Sequence, residues 1–168
     1  MKISISVMII FTTLFCILPY IWFIFIGKNN TKKNEKLFKD VIKKENMSFN
    51  IEEYWNNNFI GLNESQNILM FIKLTNQEAS FSKIDLSQLK SCHINRKTRD
   101  FKKEKKIETE LQSVDLELAF LFKNETITLR FYDVNEEFSE YLEMKRAEKW
   151  KSLIIQSKTN AVARIKAA

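Results

Sequence analysis

The order of apolar and polar positions divides the chain into three unlike stretches. From Ile3 to Ile26 there is no charged residue, and the only hydroxyl side chains besides Tyr20 are Ser4, Ser6, Thr12 and Thr13. As a helix this run rises roughly 36 Å, enough to cross a hydrocarbon core of about 30 Å. Residues 31–48 are highly charged, with Leu37, Phe38, Val41 and Ile42 spaced as on a short amphipathic helix. Beyond Phe59 the period falls to that of strands. Asn67 to Leu74, Glu78 to Ile84 and Lys90 to Asn95 read as short strands set off by polar turns, with turn signals at Asn56-Asn57-Asn58, Gly61 to Ser65 and Asp85 to Leu89. The clearest alternation places Val114, Leu116, Leu118, Phe120 and Phe122 on one face, and Asp115, Glu117, Ala119 and Leu121 on the other. Lys123-Asn124-Glu125 then turns into Thr126 to Tyr132, which completes an antiparallel hairpin. Asp133 to Glu136 has the form of a capping box opening a helix over about 134–157. Its stripe is Met144, Ala147, Trp150, Leu153 and Ile154, preceded by Phe138, Tyr141 and Leu142.

A cleaved secretory signal has an apolar core of about 7 to 15 residues and a small-x-small end, whereas this run is longer and closes on Phe23-Ile24-Phe25-Ile26-Gly27. Cys16 follows Leu14-Phe15, which does not fit a lipoprotein signal. The expectation is an uncleaved single-pass anchor, with Tyr20 and Trp22 toward one interface. Lys28, Lys32, Lys33, Lys36, Lys39, Lys43 and Lys44 follow the run against Lys2 before it, so the positive-inside rule places the large C-terminal portion in the cytoplasm. The single cysteine of that portion, Cys92, agrees with a reducing compartment. Four glycosylation-type sequons, at Asn29, Asn46, Asn63 and Asn124, are expected by chance in so asparagine-rich a chain.

The formal charge of +6 conceals two local concentrations. Residues 28–44 and residues 96–106 each carry a net +5, and the rest, Lys2 aside, is acidic. The second segment holds Arg96, Lys97, Arg99, Lys102, Lys103, Lys105 and Lys106 and reads as a basic loop. Near anionic headgroups each basic residue contributes about 1 kcal/mol of attraction. Lys28, Lys32, Lys33 and Lys36, with the seven basic residues of 96–106, are therefore the candidate contacts to anionic phospholipid. Phe101 is the only aromatic among them, so no base-stacking platform is expected and nucleic acid is not a predicted partner.

Catalytic patterns are thin. His93 is the only histidine and adjoins Cys92. Neighbours on a strand face opposite ways, so the two do not form a nucleophile and base or a metal pair. Cys92 is expected to pack inward and His93 outward. Glu108 and Glu110, and Asp115 and Glu117, share strand faces and read as a solvated side rather than paired catalytic carboxylates. With Gly27 and Gly61 the only glycines, there is no phosphate-cradling loop. No cofactor and no metal are expected.

The series of about six antiparallel strands over Phe59 to Tyr132, a basic loop between two of them, and a closing helix with Trp150 resembles the pleckstrin-homology-like barrel. Ile84-Asp85-Leu86-Ser87-Gln88-Leu89-Lys90-Ser91-Cys92 is similar to the strand, short turn and strand of such domains in small bacterial membrane proteins. The resemblance implies a non-catalytic module for lipid headgroups or peptides. The loop matching the phosphoinositide site of eukaryotic members, Gly61 to Gln66, has no Lys or Arg, so no binding residue is carried over.

The expected molecule is α+β. It has a transmembrane signal-anchor helix over 1–27, a basic juxtamembrane stalk over 28–57, a sheet or partly open barrel with its C-terminal helix over 58–158, and a tail over 159–168. Its expected place is the bacterial inner membrane. Its expected role is to bind an as yet unidentified protein partner, an anionic lipid surface, or both; the alternative is a membrane-tethered enzyme with a dispersed site.

Overall fold

The computed structural model describes residues 5–76, 78–103, 106–122, 125–136 and 140–167; within it the side chains of 5–10, 20, 22–31, 103, 106–107, 140 and 161–167 are not described. The fold is α+β. Two compact units are present, Met1–Met47 with Leu74–Ser80, and Ser48–Lys73 with Phe81–Ala168.

In the first unit, α1 (Ile5–Lys44) is one helix of 40 residues that runs from the apolar stretch into the lysine-rich stretch and contains Pro19. Its end is closed by asparagine. Asn46 takes a left-handed φ of 50°, its N–H donates to Lys43 O at 3.1 Å, and the Met47 N–H donates to Ile42 O at 3.2 Å. This is the Schellman pattern, with asparagine where glycine is commonest. Among the residues whose side chains are described, no helix is long and apolar enough to cross a membrane. Much of the expected Ile3 to Ile26 span lies outside those residues.

The strands form two antiparallel sheets, neither closed into a barrel. The first has the order β1 (Ile51–Trp55), β2 (Asn58–Asn63), β3 (Ile68–Thr75), β4 (Glu78–Asp85). A one-turn helix, Leu86–Gln88, leads to the second sheet, whose order is β5 (Leu89–Lys103), β6 (Lys106–Phe120), β7 (Thr126–Asp133). Seven strands thus stand where about six were expected, because β1 lies inside the range read as stalk. In a chain with two glycines, asparagine also supplies the left-handed turn residues: Asn56, Asn67 and Asn76 have φ of 45°, 57° and 52°. Gly61 corrects the expected turn there. It sits in mid-β2 opposite Glu52 and Met70, where a Cβ would come within 2.7 Å of the Phe49 ring and 2.8 Å of Phe59. The close approach of those rings requires glycine. The turn itself is held by Asn63, whose Oδ1 accepts from Gln66 N at 2.9 Å and Ser65 Oγ at 2.7 Å.

The hairpin of β6 and β7 is present as expected, with Leu118 opposite Ile127 and Leu116 opposite Leu129. Val114, Leu116 and Leu118 are buried, whereas Leu121 and Phe122, beyond the strand, are exposed. The capping box does not open a helix. Asp133 ends β7, and its Oδ1 accepts from the Asn135 N–H at 3.0 Å in a turn, while Glu136 binds Lys73 at 2.5 Å. The described helix, α2 (Glu140–Ala167), begins later and runs through the expected tail. Tyr141 and Leu142 are exposed, and Phe138 lies outside the described residues. The stripe otherwise holds: Ala147, Trp150 and Ile154 are fully buried, with Met144 and Leu153 half-buried against the same core as Ile60, Leu62, Leu69 and Leu116.

One carboxylate ties β1 to α2. Glu53 accepts from Arg146 Nε at 2.7 Å, Lys149 Nζ at 2.8 Å and Trp150 Nε1 at 2.9 Å. The Arg146 guanidinium also lies 4.8 Å over the Trp55 ring, which stacks on Phe131 at 5.2 Å. The indole N–H of a buried tryptophan needs such an acceptor, and Glu53 supplies it while holding two cations.

Candidate functional site

The basic segment expected as a loop is a strand ribbon. β5 and β6 pair from Leu89 opposite Phe120 out to Lys103 opposite Lys106, whereas β7 accompanies β6 only from Ser113 to Ala119. Residues 98–103 and 106–111 therefore form a two-stranded extension. Its physical basis is cross-strand pairing that a linear reading does not show: Arg99 stands opposite Glu110, Phe101 opposite Glu108, and Thr109 Oγ1 donates to Asp100 Oδ1 at 2.7 Å.

Pairing also redistributes the candidate lipid contacts. Arg96 pairs with Glu148 of α2 at 3.5 Å, and Lys97 lies 3.8 Å from Asp115. Arg99 and Lys102 are exposed; Lys105 and the side chains of Lys103 and Lys106 are outside the described residues. In the other unit Lys32, Lys33 and Lys36 are exposed along α1, and the Lys28 side chain is outside the description. Among the described candidates, Arg96 lines a groove between β5 and α2.

The carboxylate Asp115, expected on a solvated face, is instead buried, with 1% of its side chain exposed. Arg130 Nε donates to it at 3.0 Å and reaches Asp133 through NH1 at 3.2 Å. The hydrogen bond to Asp115 is the chief reason the Arg130 pKa is raised. The Asn135 N–H is the chief reason the Asp133 carboxyl is held below its ordinary range. Sequence reasoning missed this pair, although Arg130 alternating with Leu129 and Phe131 marked it as facing away from the core. Glu117, next on the same face, accepts from Asn95 Nδ2 at 2.7 Å.

Cys92 and His93 stand as expected, one buried and one exposed. Burial pushes the Cys92 thiol up to about 11, against a small opposing effect of Lys151, so at neutral pH it is a protonated core residue rather than a nucleophile. Burial would raise the Glu53 carboxyl, but its hydrogen bonds from Lys149, Arg146 and Trp150 prevail and leave it lowered. Among the described residues no group of three or more His, Cys, Asp or Glu is placed to hold a metal.

Among the described residues two concavities stand out. One, of about 310 Å³, opens between β4 and the β6–β7 hairpin and is lined by Lys83, Ile84, Asp85, Gln88, Phe120, Glu125 and Ile127. The other, of about 460 Å³, is a shallow groove between β5 and α2. His93, Ile94 and Arg96 form its strand wall, and Glu148, Lys151, Ser152 and Ile155 its helix wall. The groove was not legible in the sequence, since its two walls lie more than fifty residues apart and neither carries a motif. No family model, curated protein or solved structure matches the chain, so its binding chemistry is read from its own geometry.

Proposed function

We propose that this protein is a single-pass, membrane-anchored interaction module without catalytic function. The observation that carries the reading is α1, a single 40-residue helix whose first half is the uncharged run and whose second half holds the lysines. A helix passing without interruption from apolar to polybasic sequence suits a bilayer span continued as a stalk at an anionic, cytoplasmic surface. In that setting Lys28, Lys32, Lys33 and Lys36 lie nearest the anionic headgroups, with the exposed Arg99 and Lys102 as further contacts.

The domain that follows also supports the reading. Four strands, then three, then a helix with a buried Trp150 is the element order of a pleckstrin-homology-like domain, a scaffold whose surfaces bind lipid headgroups or peptides. The strongly held ionisable groups, Glu53 and Asp115, are taken up by partners within the fold, and the buried Cys92 thiol stays protonated.

Fractionation of cells expressing the full chain tests the anchor. The protein is expected in the membrane pellet and resistant to alkaline carbonate, and Leu14→Arg with Ile17→Arg is expected to release it. Full recovery of the unaltered chain in the soluble fraction would refute the reading.

A further inference from the structure

We infer that the cavity between β4 and the β6–β7 hairpin binds a free α-amino acid with an aliphatic side chain, a small-molecule ligand in addition to any docking partner. Its volume of about 310 Å³ stands at the low end of the roughly 300 to 1,000 Å³ of ligand pockets, so the occupant is small. The floor is the unfilled end of the core. Leu118 stands opposite Ile127, and Phe120, two residues beyond Leu118, shares that face. Leu118 is buried, whereas Phe120 and Ile127 are only half-buried, so the apolar face of the hairpin runs on past the residues that cover it. Ile84, the one buried residue of β4, adds to the floor. Backbone hydrogen bonds hold these walls in place. The Leu121 N–H donates to Gln88 O at 2.9 Å, and the Leu86 N–H donates to Asn67 O at 2.9 Å.

The rim is charged where the floor is apolar. Because β4 ends at this point, residues of both its faces border the cavity. Lys83 and Asp85 are two residues apart on the strand, about 7 Å along the backbone. Glu125 comes from the turn just before β7. All three side chains are exposed and line the cavity. Asp85 Oδ1 accepts from the Ser87 N–H at 2.8 Å, which orients the carboxylate, and a carboxylate has further acceptor sites to offer. One cation and two anions over an apolar floor call for the reverse set in the ligand: an ammonium for Asp85 and Glu125, a carboxylate for Lys83, and an apolar body for Phe120, Ile127 and Ile84. In a free amino acid the two charged groups share one carbon. With a charge-assisted hydrogen bond of about 2.8 Å on either side, they bridge groups spaced like Lys83 and Asp85. A phosphate meets two carboxylates here against one lysine, and like charges brought together are costly.

The test uses the full chain in detergent micelles with L-leucine as the probe, and binding is read by calorimetry and saturation-transfer NMR. Leucine is expected to bind. Two analogues, 4-methylpentanoate without the ammonium and 3-methylbutylamine without the carboxylate, are each expected to bind roughly tenfold more weakly or worse. Lys83→Gln should weaken leucine binding by the same order and bring it level with 3-methylbutylamine. Glu125→Gln should weaken leucine and 3-methylbutylamine alike while leaving 4-methylpentanoate unchanged. Gln88→Trp, at an exposed rim position, should close the cavity while amide exchange at Leu116 and Leu118 stays slow, which separates a filled cavity from a fold that is lost. Absence of leucine binding to the unaltered chain overturns the inference. So does leucine binding that survives Gln88→Trp, the signature of partition into the micelle. Binding of 3-methylbutylamine as tight as that of leucine overturns it too, because the site then takes a plain amine such as a lysine side chain of another protein.

Discussion

The two halves of the β5–β6 ribbon share one backbone pattern and have opposite surroundings. In the inner half, Cys92 stands opposite Leu118 and Ile94 opposite Leu116, β7 pairs along the far side, and α2 packs on the core face. In the outer half, Arg99 faces Glu110 and Asp100 faces Thr109, no third strand accompanies the pair, and Leu111 is the only buried residue among those described. Ladder hydrogen bonds alone do not make a stable element, because water competes for the same groups. Covered apolar side chains do, at roughly 25 cal/mol per Å². The inner half is thus a structural wall, and the outer half is held in shape mainly by its continuity with that wall.

The most severe way to erase this contrast is to remove the cover. Trp150→Ala is expected to destabilise the domain by about 3–5 kcal/mol and to let inner-half amides exchange as fast as outer ones, read by denaturant unfolding and site-resolved exchange. Leu116→Ala, which hollows the inner half under intact cover, should take about 2–5 kcal/mol by the same unfolding measurement.

Glu53→Gln probes the tie between β1 and the covering helix, with an expected loss of about 1.5–3 kcal/mol near neutral pH, since charge-assisted hydrogen bonds are broken. Because the folded Glu53 pKa lies below its ordinary value, its stabilisation is complete above about pH 4.3 and is lost as pH falls through the lowered folded value. The stability gap between the two proteins should therefore close in acid; a gap constant from pH 7 to pH 3 would show that charge on Glu53 contributes nothing. At the small end, Phe101→Ala or Arg99→Ala in the outer half should change stability by no more than about 0.5 kcal/mol. A loss comparable to Leu116→Ala would mean that the outer half is packed against something.

The inner half was readable because its strands alternate strictly around Val114, Leu116 and Leu118. The outer half was misread as a loop because a run of charges shows no apolar face, and its order comes from residues ten or so positions away on the return strand. Asp115 was misread for a related reason. Strand parity placed it correctly on the face away from the core, but only the packing of Arg130 and Lys97 over it closes off water. The capping-box pattern at Asp133 was real local chemistry put to another use, since the carboxylate organises a turn at Asn135 and Glu136 goes to Lys73.

What the sequence alone determined is local: the uncharged N-terminal run, the turn at Asn56, the alternation of the late hairpin and the apolar stripe around Trp150. Each depends on backbone geometry and side-chain period over a few residues. Tertiary structure alone decided which charges are neutralised, which glycine is pressed under a ring, and that β5 keeps an open edge beside α2. Those outcomes depend on which distant residues meet, and the free energy of such a meeting is set by the water it excludes rather than by any neighbour in sequence.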